Sequence, residues 1–168
     1  ELPLLQKAQE LSEGLMMMMP EEAGEEPLDQ EKLLVKNAKK IGIMIAGLAA
    51  QKFGTELEKE QEILVNIADI ASLVYAMESA VLRTEKAVRA TGLEKNKQKL
   101  LYTQIFCQEA FGEIEKHAKE TLVATETGDT LRMMTSALRK FTRFTPVNVI
   151  ALKREAAVKI VEAERFVL

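Results

Sequence analysis

The sequence predicts an all-α protein, an up-and-down bundle of four main helices with shorter flanking helices. Apolar residues recur at three- and four-residue spacings along the chain, and the alternation that marks a half-buried strand is absent. Only four prolines and eight glycines interrupt the 168 residues, mostly where a helix should end. Long helices joined by short turns pack as antiparallel neighbours, which is the arrangement of a bundle.

The N-terminal region, residues 1–30, is predicted to be a helix at about 3–19 followed by an acidic linker, with the bundle domain at 31–168. The linker PEEAGEEPLDQ, 20–30, holds two prolines, one glycine and five carboxylates, a composition typical of loops. Four consecutive methionines precede it. Because methionine side chains are flexible, we expect this run to pack adaptably against a neighbouring surface.

The second helix is predicted at about 29–53, where Gly54 ends it. Within this helix, Gly42, Ala46 and Ala50 lie four residues apart. Side chains at that spacing share one helix face. The sequence therefore predicts a smooth stripe that another helix can approach closely.

The third helix is predicted at about 55–90, with Thr55 as the N-cap and Glu58 completing a capping box. Its length would be about 54 Å. The turn TGL, 91–93, ends it and leads into the fourth helix at about 94–126, which ends at the turn TGD.

The fourth helix carries an apolar stripe at helical spacing, which we expect to face the core: Cys107, Phe111, Ile114, Ala118 and Leu122. A fifth helix at about 129–144 is predicted to bury four apolar side chains: Leu131, Met134, Leu138 and Phe141. Asp129 is its expected cap. The residues TPVN, 145–148, then turn the chain into a last helix at about 148–166.

The most apolar helical stretch is NIADIASLVYAMESAV, 66–81, which nonetheless contains Asp69, Tyr75 and Glu78. A helix that is apolar nearly all round is expected to be central and buried. Asp69 and Tyr75 should then be satisfied within the fold, Asp69 by a hydrogen-bonding or cationic partner. Asp69 and Glu78 are separated by a rise of about 13.5 Å, too far for an acid–base pair on one helix.

The sequence predicts no catalytic, cofactor-binding or metal-ligating residue. A di-iron bundle needs Glu-x-x-His pairs, but the single histidine, His117, follows Ile114 at that spacing. A zinc site needs several His or Cys ligands. We therefore interpret His117 as a solvated helix residue and Cys107, the one cysteine, as a small buried hydrophobe. Neither common glycine-rich phosphate loop occurs.

Charge limits the partners. A net charge of −3 predicts no nucleic-acid binding. Residues 129–168 hold eight basic and four acidic residues. Four of the basic residues lie at helical intervals: Arg132, Arg139, Lys140 and Arg143. They would meet a phosphate, an acidic lipid surface or an acidic partner, or else form a solvated helix face.

Location is expected to be cytoplasmic, either in solution or at the membrane periphery. A lone cysteine cannot form an internal disulfide and fits a reducing compartment. The charged first ten residues do not resemble a secretory signal. The apolar run IGIMIAGLAA, 41–50, is half as long as a membrane-spanning helix requires, so we expect a core helix there.

Three stretches carry a family resemblance: IADIASLVYAMESAVLRTEKAV, KNKQKLLYTQIFCQEAFGEIEKHA and LRKFTRFTPVNVIALKREAAVKIVEAE. In the first, an Ala68–Asp69 pair is followed by Tyr75, Ala76 and Met77, with the family's leucine shifted by one position. Residues 28–168 resemble the C-terminal extension of very-long-chain-type acyl-CoA dehydrogenases, especially the bacterial branch.

The resemblance implies that this chain is part of an enzyme that uses FAD to oxidise fatty acyl-CoA thioesters to trans-2-enoyl-CoA. The family's catalytic glutamate is closely followed by a Gly-Thr-Asn type motif, which this sequence lacks. The start at Glu1 rather than Met also fits a piece of a longer chain. We therefore expect a non-catalytic, FAD-free C-terminal helical domain that supports packing and assembly of the catalytic part.

Its expected partners are the catalytic domain of the parent acyl-CoA dehydrogenase and, as a homo-oligomer, further copies of itself. The family's extension is also associated with membrane attachment, although the acidic linker here would repel anionic lipid. The alternative is an independent helical protein-interaction module that docks through its methionine run and basic end. A coding sequence that begins at Glu1 would favour that alternative.

Overall fold

A computed structural model describes residues 3–14 and 21–167, apart from the side chains of residues 4, 12 and 13. The described residues form helices, short 3-10 segments and loops, with no strand among them. The α-helices follow in chain order: α1 (Pro3–Gly14), α2 (Asp29–Phe53), α3 (Gln61–Thr91), α4 (Lys97–Thr125), α5 (Gly128–Phe141) and α6 (Val149–Ala163). The predicted all-α class is confirmed.

One continuous hydrophobic core joins α2, α3, α4 and α5. Its fully buried large side chains come from these helices: Leu34, Ile41, Ile45, Ile70, Met77, Phe111, Ile114, Leu122 and Leu138. Helix α1 packs on α2, and α6 packs on α4. The four-helix core with two flanking helices matches the predicted architecture.

Gly54 and Gly92 end helices as predicted, whereas Gly128 of the turn TGD begins α5, because α4 already ends at Thr125. Gly54 follows α2 with a φ of 53° and donates its backbone N–H to the Ala50 carbonyl. Gly92 follows α3 with a φ of 87° and bonds to the Val88 carbonyl. Both φ values lie in the region that glycine adopts without steric cost.

The turn between α3 and α4 is held by a buried amide. The Asn96 side chain donates to the carbonyls of Ala87 and Gly92, at 3.1 and 2.8 Å. The Gly92 carbonyl follows the C-terminal end of α3, and the Ala87 carbonyl in its last turn also accepts the Thr91 hydroxyl at 3.1 Å. Asn96 therefore fixes the antiparallel path of α3 and α4.

Two predicted caps are wrong. Residues Gly54–Lys59 form a 3-10 segment, closed when the Glu60 N–H bonds to the Leu57 carbonyl at 3.1 Å. Thr55 therefore lies in a turn, and α3 begins six residues later. Asp129 lies inside the first turn of α5, where its carboxylate pairs with Arg132 at 3.2 Å instead of capping the helix. Asn148 does cap α6, because its Oδ1 accepts the Ala151 N–H at 3.0 Å.

Helices α1 and α2 approach each other closely at Gly47. A Cβ on Gly47 would sit 2.2 Å from the Ala8 Cβ, inside van der Waals contact. The predicted small-residue stripe makes a looser contact, since a Cβ on Gly42 would lie 3.3 Å from Ile70 Cγ2 on α3. The methionine run falls outside the described residues. The division of domains at residue 30 stays a prediction.

Candidate interaction surface

The inner apolar stripe of α4 is buried as predicted, and that of α5 is buried apart from the half-buried Leu131. The apolar stretch 66–81 of α3 is different. Its predicted central position is wrong, because α3 contacts α2 and α4 on one side only. The buried residues of α3 are confined to that side: Ile63, Ile70, Met77, Val81 and Thr84.

The opposite side of α3 is apolar and open to solvent. Side chains at three- and four-residue spacing follow this side, and we call them the outer stripe: Val65, Ala68, Ser72, Tyr75, Ser79 and Leu82. Val65 is 56% exposed, Tyr75 75% and Leu82 55%. Large apolar side chains exposed in a row on one helix face mark an interaction surface more often than a free surface.

The high hydropathy of α3 explains why its sequence predicts a buried helix. Among the described residues it is the one helix long and apolar enough to cross a membrane, with a mean hydropathy of 1.4 over 18 residues. Only 17% of those residues are buried. Core helices of soluble bundles share this length and composition, and the inner side of α3 belongs to such a core.

Asp69 finds its partner across the α3–α4 interface. Its Oδ2 lies 3.9 Å from His117 Nε2, while His117 Nδ1 lies 2.8 Å from the Asn66 side-chain oxygen. The His117 side chain is only 17% exposed, so its interpretation as a solvated residue is wrong. The imidazole joins the two helices through the hydrogen bond of Nδ1 to Asn66, while Asp69 lies beyond hydrogen-bonding distance of Nε2 and stays 51% exposed. No nucleophile among the described residues is hydrogen-bonded to it, so this cluster is structural.

Tyr75 and Glu78 have different surroundings. The Tyr75 hydroxyl has no hydrogen-bond partner within the described part of the chain, which contradicts its expected satisfaction inside the fold. Glu78 accepts a hydrogen bond from Lys39 of α2 at 2.5 Å. This pair lies in an open groove of about 240 Å³ between α2 and α3. The groove is lined by Lys32, Val35, Lys36, Lys39, Glu78, Val81 and Leu82.

The groove is charge-balanced and small. Each of its lysines is paired with a carboxylate: Lys32 with Glu85, Lys36 with Glu21 and Lys39 with Glu78. The hydrogen bond from Lys36 lowers the pKa of Glu21. Pockets that bury small molecules usually measure about 300–1,000 Å³. The groove therefore does not fit a ligand the size of FAD.

The core holds two ionisable groups, Glu31 and Cys107, which are 2% and 0% exposed. Burial, and secondarily the charge of Glu31, raise the pKa of the Cys107 thiol to about 12. Burial also raises the pKa of Glu31. The Cys107 thiol is therefore protonated at neutral pH, which suits a packing role. In the described ranges, no three metal-ligating side chains come together.

The basic end lies at the surface. Arg132, Arg139 and Arg143 are exposed, and Arg132 pairs with Asp129 of its own helix. On α6, Lys153 bonds to Glu109 of α4. With Arg132 and Lys153 paired and Arg139 and Arg143 exposed, these basic residues present a solvated face.

Similarity to known proteins decides the family. Residues 37–140 match the family model described as acyl-CoA dehydrogenase, C-terminal domain. The chain belongs to this acyl-CoA dehydrogenase family. It is 68% identical over 166 residues to a probable acyl-CoA dehydrogenase of Bacillus subtilis (strain 168), covering 99% of this chain and 28% of that protein.

A solved structure of an acyl-CoA dehydrogenase from Bacillus anthracis, complexed with FAD, superposes with a TM-score of 0.94 at 71% identity. The match covers 99% of this chain and 28% of that one. The chain thus spans a little over a quarter of the length of either relative. The C-terminal acyl-CoA dehydrogenase domain expected from the sequence is confirmed.

Two features of this domain escaped the sequence analysis. Glu31 shares a helix face with Leu34, Ala38 and Ile41, and that spacing could have identified its burial. The outer stripe of α3 also has regular spacing, but nothing in the spacing says which side of the helix is covered. That information comes only from the packing of α2 and α4 against the inner side.

Proposed function

We propose that this chain is the non-catalytic helical domain of an FAD-dependent acyl-CoA dehydrogenase of fatty acid β-oxidation, and that it supports packing and assembly of the catalytic part. One observation carries the proposal. Nearly the whole chain matches 28% of an acyl-CoA dehydrogenase complexed with FAD, at 71% identity. The larger part of such an enzyme lies outside this chain and would hold the flavin and the acyl-CoA.

The described side chains support a structural role. Cys107 is buried and protonated, and His117 is engaged between two helices. The groove between α2 and α3 is smaller than FAD requires and is neutralised by its own ion pairs. The exposed apolar side of α3 provides what a packing domain needs, which is a surface that remains to be covered.

Purification of the isolated chain with FAD and a saturated acyl-CoA tests the absence of catalysis. We expect a colourless protein that forms no enoyl-CoA. The full-length Bacillus subtilis relative, treated identically, is the positive control. Flavin that co-purifies with the isolated chain in a stoichiometric amount, or turnover by that chain, would overturn the proposal.

A second experiment tests assembly. In the full-length relative, disruption of the contact between this domain and the rest should change the oligomeric state or lower the thermal stability of the holoenzyme. Analytical ultracentrifugation and flavin release on heating report these two quantities. Unchanged values in variants that detach the domain would contradict a role in assembly.

A further inference from the structure

We infer that the outer stripe of α3 is the surface against which the remainder of the acyl-CoA dehydrogenase chain packs, and that the element received there is a helix. This inference rests on the proposed function and adds the location and chemistry of the contact. The first argument is continuity. The outer stripe runs from Val65 to Leu82, about 26 Å along the helix axis. About five turns of a partner helix would cover that length.

The second argument is shape. Val65, Tyr75 and Leu82 project from the surface, and the small side chains of Ala68, Ser72 and Ser79 lie between them. Ridges of large side chains separated by small ones receive the ridges of a second helix. Tyr75 is the most exposed of the large apolar side chains on α3. Its apolar ring and free hydroxyl have the properties of an interface anchor.

The third argument is charge. Of the carboxylates on either edge of the outer stripe, Glu78 is paired with Lys39, and Asp69 is 51% exposed and lies 3.9 Å from His117. The members of the stripe between them carry no charge, so an apolar helix can cover the stripe and leave Asp69 at its solvated edge. Arg83, at the C-terminal end of the stripe, is exposed. A carboxylate of the partner helix opposite Arg83 would fix the direction of packing.

The exposed apolar side chains of α6 form a different kind of surface. Ile150, Val158 and Val161 are exposed, but charged residues Lys153, Arg154 and Lys159 interrupt them. A helix packed there would have to cover those charges, whereas a helix packed on the outer stripe of α3 would cover none.

The occupant follows from connectivity. In each relative, the larger part of the polypeptide is joined covalently to the segment that matches this chain. A joined segment competes at millimolar effective concentration, which a second copy in free solution rarely reaches. This advantage favours the remainder of the same chain over a second copy as the occupant of the outer stripe in the whole enzyme.

Site-specific photo-cross-linking in the full-length Bacillus subtilis relative tests the inference. A benzoylphenylalanine replaces the residue equivalent to Tyr75, and matched controls place it at the exposed positions equivalent to Glu113 of α4 and Val161 of α6. Mass spectrometry identifies the linked peptides. We expect position 75 to link to a helix of the catalytic part, and position 113 to link to nothing within the enzyme.

Each other result is decisive. Links from position 75 to the same domain of a second copy would overturn the inference in favour of self-pairing. Links to the catalytic part from position 161 alone would overturn the assignment to α3 and leave the proposed function standing. An absence of links to the catalytic part from all three positions would overturn both.

A charge-insertion variant gives an independent measurement. Tyr75→Glu, made at the equivalent position, should increase the rate of proteolysis at the acidic linker about tenfold, because the buried carboxylate opposes docking. Val161→Glu is the matched control and should leave the rate unchanged. Circular dichroism checks that both variants keep their helices. Equal rates for the two variants would contradict the inference.

Discussion

The hydroxyls of Thr84 on α3 and Thr103 on α4 lie 2.7 Å apart and share a hydrogen bond inside the bundle. Their residues are 5% and 4% exposed, so water cannot replace either partner. A buried polar pair of this kind constrains the register of two apolar helices, because sliding would leave both hydroxyls unsatisfied.

Thr84→Val should lower the free energy of unfolding by about 1–3 kcal/mol, because Thr103 is left without its partner in a buried site. The double variant Thr84→Val/Thr103→Val should cost less than the sum of the single variants. Urea denaturation of all four proteins measures the coupling. Thr55→Val at an exposed turn is the control, with an expected effect within about 0.5 kcal/mol. Additive costs would exclude an energetic link between the two hydroxyls.

Cys107 should not react with a thiol reagent in the folded protein at neutral pH. Its side chain is buried, so the reagent cannot reach the sulfur, and its pKa is raised to about 12, so the reactive thiolate is scarce at neutral pH. Because it is the one cysteine, the reagent should modify no thiol in buffer and one thiol in denaturant. Rapid modification of the native protein would show that the core opens near Cys107.

Glu31→Gln should stabilise the protein at neutral pH. Burial raises the pKa of Glu31 above its ordinary value of 4.5, so the folded state favours the protonated carboxyl. That contribution is complete below pH 4.5 and is lost as the pH rises through the folded pKa. The neutral amide of the Glu31→Gln variant keeps this stabilising contribution at all pH values. The unfolding free energy of the variant minus that of the wild type should therefore be positive at pH 7 and shrink below pH 4.5.

Urea denaturation across this pH range provides the measurement for Glu31. Glu58→Gln, at an exposed position, corrects for the change in net charge. A stabilisation by Glu31→Gln that persists unchanged at pH 4 would show that the effect does not arise from ionisation.

Gly47→Ala should displace α1 from α2, because the added Cβ would lie 2.2 Å from the Ala8 Cβ. The double variant Ala8→Gly/Gly47→Ala should restore the contact. Amide hydrogen exchange in α1 reports the displacement, with faster exchange expected in the single variant alone. Gly112→Ala is the control: its site is open, and the helix should gain about 1 kcal/mol. Amide exchange in α1 as slow as in the wild type would show that α1 and α2 stay packed together in the Gly47→Ala variant.

The isolated chain should self-associate at high concentration, because the outer stripe of α3 then lacks its cover. Tyr75→Glu should shift the sedimentation profile towards monomer, while Val161→Glu should not. Sedimentation velocity over a range of concentrations measures the effect. A monomeric wild-type chain at all concentrations would show that the outer stripe is not adhesive by itself.

Spacing along the sequence was sufficient where a helix has one apolar side. The inner stripe of α4, from Cys107 to Leu122, is buried as predicted, because each of its members lies on a single helical face. The glycine stops at Gly54 and Gly92 were equally readable. The same reasoning predicts the wrong position for α3. Hydropathy measures how apolar the side chains are and carries no information about which neighbours cover them.

Features that depend on how helices cross were beyond the sequence. The close contact at Gly47 requires the path of α1 over α2, and the engagement of His117 requires Asn66 and Asp69 to face it from α3. The Thr55 cap failed for a local reason. A glycine in a left-handed conformation sent the chain through a 3-10 segment before the helix began.

The two sides of α3 contact different neighbours, so we expect substitutions on the two sides to be constrained differently during evolution. A substitution at Ile70 or Met77 must be accommodated by α2 and α4, within the same bundle. A substitution at Val65, Tyr75 or Leu82 does not have to be accommodated by α2 and α4. It must instead fit the residues that contact the outer stripe from the rest of the enzyme. Among relatives, we expect the inner positions to covary with this domain and the outer positions to covary with the catalytic part.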